Sequence, residues 1–322
     1  MSRADWRPAA SLPTLRRRAA MLERARGYFR SRGVMEVETP VLSSAATPDV
    51  NIESARARLC GRDFYLHTSP EFAMKRLIAA GCGDSAQICR VFRDGERGRL
   101  HHPEFTMIEW YRVGFNAASM MEDVELLIAA MLHDIRPLPA AERVTYREAL
   151  TAFAGVDPLD ADGPALQAAL VRAGIDCPAG VIDDRDALLD LIVGTIVGPR
   201  LGHRTPCFVT EYPASQAALA RLKPGNPAVA ERFELYLDGM ELANGFHELG
   251  DPVEQARRFE ADQAARRRRG RPLQPLDERF LACLEAGLPD CAGVALGFDR
   301  LVMCATGAQS IDEVLAFPIE RS

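Results

Sequence analysis

The chain has 322 residues, 48% of them hydrophobic and 26% charged, with a formal net charge of −6. This describes a globular protein with a sizeable core, one large domain or two ordinary ones, and excludes wholesale disorder. Its longest apolar run, Leu126 to Leu132, is far short of the roughly 20 residues of a membrane helix, so no membrane span is expected.

The first residues carry charges with no apolar stretch behind them, which argues against a secretory signal. A pI of about 5.6 counts against a wide nucleic-acid footprint, and stable tRNA binding is not expected. Only two lysines, Lys75 and Lys223, stand among the 39 basic residues. Neither follows a glycine, so no GxxxxGK[ST] phosphate loop exists. The eight cysteines form no CxxC pair, which argues against structural zinc and points to unpaired thiols in a reducing cytoplasm.

In chain order, Leu15, Ala19, Leu22, Ala25 and Phe29 repeat at helical spacing and predict a helix over 14–32, stopped by Gly33. An alternating strand follows over 34–39 and another over 62–68. Ser69-Pro70-Glu71 then opens a helix to Gly81, with Ser69 as N-cap. Residues 86–93 and 104–113 read as two strands joined by the polar loop DGERGRLHHP. A helix follows over 118–133. From Tyr146 to Gly198 the pattern is helical and rich in Ala and Leu. Strands return at 206–210 and 232–249. Asp251-Pro252-Val253-Glu254 is a capping box launching a helix to Arg269. A Gly-rich strand-to-helix passage spans 293–307. Strands scattered among helices at hairpin spacing indicate an α+β fold, an antiparallel β-sheet flanked by helices, and no GxGxxG suggests a Rossmann domain.

Three stretches can carry chemistry. In the hairpin at 232–249, Asp238-Gly239 is a two-residue turn that sets Leu237 opposite Met240 and Tyr236 opposite Glu241. Glu234, Tyr236 and Glu241 then share one face, and two acids there suit a Mg²⁺ shared with phosphates. A solvated acidic face is the alternative. Asn244, Phe246 and Glu248 have the opposite parity, so a bulge near Ala243 to Gly245 is predicted to turn them toward the same cavity. In the strand 104–113, Phe105, Met107, Glu109 and Tyr111 share a face, and Glu109 is either paired with a cation or exposed on an edge. His101 and His102 lack a third ligand at metal spacing and read as loop residues. In GVALGFDRL, glycines permit close ligand approach and Arg300 could grip a phosphate at a helix start.

Together RGVMEVETPVL, TSPEFAMKRL, FRDGERGRLHHPEFTMIEWYR, RFELYLDGMELANGFHEL and GVALGFDRLVM resemble, in order, the motifs of class II aminoacyl-tRNA synthetases, and most of all the lysyl-tRNA synthetase catalytic domain. The resemblance covers about residues 12 to 322. The first motif begins near residue 32, leaving no room for an anticodon-binding domain. The match is therefore to the truncated paralogues that ligate (R)-β-lysine to elongation factor P, and Ala295, where synthetases have glycine, supports that branch. The expectation is a single catalytic domain over 1–322, with a helical insertion at about 117–204.

The resemblance implies ATP as co-substrate, Mg²⁺, lysine or (R)-β-lysine as the amino acid, elongation factor P as acceptor, and a homodimer formed through the first motif. It implies that Arg93 bridges carboxylate and α-phosphate, and that Phe105 and Arg300 sandwich adenine. Asp94, Gly95, Glu96, His102, Glu241, Leu242 and Gly297 complete the ATP site, and Glu234 and Glu241 hold the metal. Glu109 and Glu248, helped by Tyr111, take the terminal ammonium. Ser69, Pro70 and Glu71 serve the second amine, with Asn244, Phe246 and Ala295 lining the pocket. Two positions depart from the family: Gly95 stands in the place of a glutamate, with Glu96 following, and His102 replaces an asparagine. Three rivals remain: a lysyl-tRNA synthetase-like enzyme charging tRNA or a small acceptor, a non-catalytic binding protein, and an aspartyl-tRNA synthetase-like amidating enzyme, which would need a cation in the side-chain pocket. Two arginine clusters remain, Arg16 to Arg18 and Arg266 to Arg269; the latter closes a helix, where cations complement the dipole, and the alternative is a docking patch for an acidic, tRNA-shaped protein.

Overall fold

A computed structural model describes residues 6–178 and 180–322. The reading of the first residues as lacking a signal falls partly on residues 1–5, outside that range. Helix α1 (Leu12–Ser31) starts two residues before its predicted position because the Ser11 hydroxyl accepts the Thr14 N–H. Its buried face, Met21, Ala25, Tyr28 and Phe29, packs into the main core, where Phe29 meets Trp110 with ring centroids 5.6 Å apart. The strand expected over 34–39 is only β1 (Met35–Glu36). β2 (Leu42–Ser43), β3 (Arg56–Leu59) and β4 (Arg62–Leu66) form a small separate sheet.

Helix α2 (Glu71–Ala79) precedes β5 (Ser85–Phe92), β6 (Glu104–Val113) and α3 (Ala117–Leu132). Pro70, not Ser69, occupies the N-cap position, although the Ser69 hydroxyl still accepts the Glu71 N–H at 3.0 Å. β7 (Glu142–Thr145) leads into α4 (Tyr146–Ala154), α5 (Gly163–Arg172) and α6 (Arg185–Ile192). The chain then returns through β8 (Cys207–Pro213), β9 (Leu222–Lys223), β10 (Asn226–Leu237) and β11 (Met240–His247). It ends with α7 (Pro252–Arg268), α8 (Glu278–Gly287), β12 (Cys291–Gly297) and α9 (Phe298–Thr306). Asp251 caps α7 through the Val253 and Glu254 N–H groups, while the Glu254 carboxylate turns to Arg257 and Arg258 instead of closing a capping box.

The main sheet has nine strands in the order β1-β5-β6-β12-β11-β10-β8-β7, with β9 beside β10. The strands from β5 to β8 along this order pair antiparallel, as expected; the edge strands β1 and β7 add parallel pairs. The helices predicted within 117–204 divide between two cores. α3 joins the main core, whereas α4 to α6 build a second one around Tyr146, Leu150, Leu170 and Ile192 against β8. Among the described residues no helix is long and apolar enough to cross a membrane, and all eight cysteines are unpaired.

The hairpin turns at Asp238-Gly239, both at positive φ (53° and 73°), which is the two-residue geometry that suits the twist of paired strands. Tyr236 faces Glu241 and Leu237 faces Met240, as predicted. The bulge comes earlier than predicted: Leu235 pairs with Ala243, so Leu242 is the extra residue. Gly245 has a different duty. A Cβ there would lie 2.3 Å from the fully buried Phe233 ring. Gly245→Ala should therefore cost about 1–3 kcal/mol by overpacking, read as a lowered urea midpoint.

Candidate active site

The bulge at Leu242 reverses the parity of β11, so Asn244 and Phe246 face the same side as Glu241, and Glu248 follows at the strand end. Asn244 then stands opposite Glu234 on β10 and Ala295 on β12, and Ala295 stands opposite Glu109 on β6. Four adjacent strands thus build one surface. Above it lies a cleft of about 410 Å³. Its wall includes Phe105, Met107, Glu109 and Tyr111 from β6, the face predicted from their alternation. Glu109 is 2% exposed and sits on an interior strand, not on an edge.

At one end the cleft is acidic. Glu109 accepts hydrogen bonds from the Ser69 and Tyr111 hydroxyls, both at 2.7 Å. Burial, reinforced by the Glu71 charge, raises its pKa to about 7. Glu248 is 1% exposed. Burial raises it to about 8, with the Glu71 and Glu109 charges opposing the pull of Lys75. The Lys75 ammonium is buried 2.5 Å from Glu248 Oε2 and 2.6 Å from Glu71 Oε1. Glu248 Oε1 is buried with no hydrogen-bond partner among the described residues. Gly293 forms part of the wall because a Cβ there would lie 2.3 Å from the Tyr111 ring and 2.5 Å from Glu248 Oε1.

At the other end the cleft is basic. The Arg93 guanidinium lies 5.1 Å over the Phe105 ring and 3.8 Å from Glu96. Arg300 donates to the Glu241 carbonyl at 2.8 Å and the Leu100 carbonyl at 3.2 Å, and its Nη2 lies 2.8 Å from His101 Nε2. Burial and Arg300 lower the His101 pKa, which fits a neutral ring accepting that contact. Both His102 ring nitrogens are engaged, Nδ1 with the Glu104 carbonyl at 2.6 Å and Nε2 with the Ile319 N–H at 2.9 Å. His102 is thus fixed by the Glu104 carbonyl and the Ile319 N–H.

Ser69, Pro70, Glu71, Arg93, Glu96, His102, Phe105, Glu109, Tyr111, Glu241, Leu242, Asn244, Phe246, Glu248, Ala295, Gly297 and Arg300 all line the cleft. Asp94 and Gly95 do not: they are exposed in a turn anchored by the Asp94 N–H to the Glu53 carbonyl. Glu234, on the same face but buried, is not part of the cleft lining and accepts from Arg232 at 2.5 Å and from the Tyr236 hydroxyl at 2.7 Å. Each of its oxygens keeps a second lone pair, and Glu241 is raised by burial and by the Glu234 charge. Two neighbouring carboxylates with lone pairs to spare fit the chemistry of a Mg²⁺ ligand set.

Several contributors escaped the sequence reading. Lys75 is one, although its spacing of four from Glu71 on a helix was a usable signal. Arg232 is another, two residues from Glu234 on the same strand face, and it donates to Asn244 at 3.2 Å, Glu234 and the Gln216 carbonyl. Asp299 ties Arg18 of α1 to the Thr106 N–H of β6, so the start of α9 is locked onto both α1 and β6. The arginine clusters are partly internal. Arg17 donates to the Ala305 carbonyl. Arg266 is fully buried and holds the carbonyls of Asp49 and Ile52 and the Glu53 carboxylate, while Arg269 reaches Asn51. These contacts clamp the segment from Ala45 to Ser54, much of which lines the cleft; only Arg16, Arg17, Arg267 and Arg268 stay exposed within the clusters.

Comparison with known proteins adds two findings. The profile of the family described as tRNA synthetases class II (D, K and N) matches residues 3–321. Proteins named elongation factor P–(R)-β-lysine ligase, from Vibrio cholerae serotype O1 and Salmonella gallinarum, are each 46% identical. The alignments cover 100% of both chains for the first and 99% of both for the second.

Glu109 keeps its proton up to about pH 7 in the folded chain, whereas an unfolded glutamate loses it near pH 4.3. Between these values the folded state binds the extra proton, so Glu109 makes stability fall as pH rises. Urea midpoints from pH 5 to 8 should fall less steeply for Glu109→Gln than for the native chain.

Proposed function

The chain belongs to the class II tRNA synthetase family (D, K and N), in the branch of the elongation factor P–(R)-β-lysine ligases, and from that premise we propose that it activates (R)-β-lysine, or lysine, with ATP and transfers it to a lysine side chain of elongation factor P. The observation that carries this reading is the polarity of one cleft: buried Glu109 and Glu248 at one end, Arg93 and Arg300 at the other. A diamino acid is a molecule of matching polarity, cationic at its amines and anionic at its carboxylate.

In the first step the substrate carboxylate attacks the α-phosphorus, the bond to the β-phosphate oxygen breaks, and pyrophosphate leaves. In the second a neutral amine of the acceptor attacks the adenylate carbonyl, an amide forms, AMP leaves with the bonding electrons, and the amine gives up a proton. Catalysis of both is mostly positioning and charge neutralisation. Arg93 bridges carboxylate and α-phosphate. Arg300, fixed by the Leu100 and Glu241 carbonyls, faces Phe105 across the adenine with its charge toward the γ-phosphate. Glu96, also on the cleft wall, takes the adenine contact that Gly95 cannot make. Mg²⁺, when held by Glu234 and Glu241, would neutralise phosphate charge. Glu109 and Glu248 receive the terminal ammonium, and Ser69 and Glu71 the second amine.

The cation required by an aspartate-selective pocket is present as Lys75, but Glu71 and Glu248 already take its charge. The binding-protein rival fits poorly with Arg93, Glu234, Glu241 and Arg300 all in place. The homodimer belongs to this proposal, supported by apolar side chains exposed beside the first motif, Leu12 (61%), Met35 (49%) and Val41 (39%). The unpaired cysteines support a reducing compartment.

ATP–pyrophosphate exchange should appear with (R)-β-lysine or lysine, followed by a one-lysyl mass increase on elongation factor P. Exchange with aspartate alone would overturn the pocket assignment, and exchange without any amino acid would overturn the reaction. Arg93→Ala should lower exchange kcat/KM by about 10²–10³-fold, the usual scale for removing a transition-state charge partner.

A further inference from the structure

Lys75 sits below the floor of the acidic end, fully buried, with its ammonium shared between Glu71 and Glu248 and 5.8 Å from the Phe280 ring centroid. The titratable groups around it are Glu71 on its own helix, Glu109 and Tyr111 on β6, Glu248 after β11, Cys291 on β12 and Cys283 on α8. Burial raises the phenol and both thiols, so they are uncharged near neutral pH. Burial also works against the Lys75 charge, but Glu248 and Glu71 outweigh it and hold the ammonium above its ordinary value. With its carboxylates ionised the pocket therefore holds three acids and one fixed cation, a formal charge of −2 from Glu71, Glu109, Glu248 and Lys75.

We propose that Lys75 is a specificity-determining positioning residue: by cancelling Glu248 from within, it leaves the pocket two negative charges, matched to an amino acid that carries two ammonium groups. This rests on the diamino-acid reading of the cleft. Without Lys75 three acids would share one cavity, and like charges so close hold protons to higher pH. An incoming ammonium would then have to displace those protons. Lys75 keeps the acids ionisable where the substrate is dicationic, without touching the substrate.

The test uses ATP–pyrophosphate exchange with lysine and (R)-β-lysine from pH 6 to 9.5 on the full chain. Lys75→Met should raise the amino-acid KM about tenfold or more at pH 7 and move the pH at which KM improves upward by about one unit or more. The KM for ATP should stay within about twofold, since the triphosphate end is untouched. The neutral variant Lys75→Gln, which keeps hydrogen-bonding groups for Glu71 and Glu248, should raise KM and shift the midpoint in the same direction, whereas Lys75→Arg, which keeps the cation, should stay within about threefold and half a pH unit of the native chain.

A Lys75→Met or Lys75→Gln midpoint equal to the native one, or a Lys75→Arg midpoint shifted as far as theirs, would overturn the proposal. If Lys75→Met does not fold, Lys75→Gln against Lys75→Arg decides: a shift with the first alone supports the proposal, and no shift with either sinks it. Absence of exchange by the native chain would instead sink the underlying function.

Discussion

A β-strand offers its side chains to alternate faces, so a strand that must present Glu241 and Glu248 to one cavity cannot be regular, because they lie an odd number of residues apart. Leu242 resolves the conflict. As the extra residue of β11 it is skipped by the β10 ladder, and its side chain, 2% exposed, goes into the core. Every later residue of the strand is thereby reassigned, which puts Asn244 and Phe246 above the same surface as Glu241. Gly245 then secures the new register from the opposite face, where the Phe233 ring occupies the volume of the missing side chain. The basic end and the acidic end are one continuous surface only because of this one-residue insertion.

The second constraint is electrostatic. The cleft concentrates acids at low exposure, and each uncompensated one would cost several kcal/mol on leaving water. The chain answers with internal cations of long reach. Arg232 spans Glu234, Asn244 and the Gln216 carbonyl, and Lys75 spans Glu71 and Glu248. Such pairs contribute little net stability, because attraction mostly offsets desolvation. What they supply is position, since a carboxylate held by a buried cation keeps one orientation. In the proposed reaction the remaining lone pairs would serve a metal at Glu234 and an ammonium at Glu248.

Much of this was legible from local pattern. Alternation exposed the β6 face from Phe105 to Tyr111, and Asp238-Gly239 fixed the hairpin and its pairing. The resemblance to synthetase motifs brought seventeen distant site residues to one wall. What local pattern could not carry was context. Whether Glu109 lay at an edge or inside depended on β12 arriving from far along the chain to cover β6. The 34–39 strand shrank to two residues because its partner, β5, accepts it only at Met35 and Glu36. The bulge was placed on a glycine whose actual reason was a distant phenylalanine. The arginine run at 266–269 reads as charges closing a helix or as a docking patch, and the burial of Arg266 went unforeseen because its acceptors, mostly backbone carbonyls of residues 49–52, have no sequence signature.

Basic residues in this chain are almost all arginine, and that has a bearing on its own chemistry. An acyl adenylate is a mixed anhydride, indiscriminate toward uncharged primary amines. Any that leaks from the cleft meets the enzyme's own surface first. Of the two ε-amino groups, one is sealed away at 0% exposure and the other, on Lys223, is 41% exposed and tethered 2.5 Å from Glu211. Guanidinium groups stay protonated and do not compete. The protein thus offers the reagent it would make one partly exposed ε-amino group, that of Lys223.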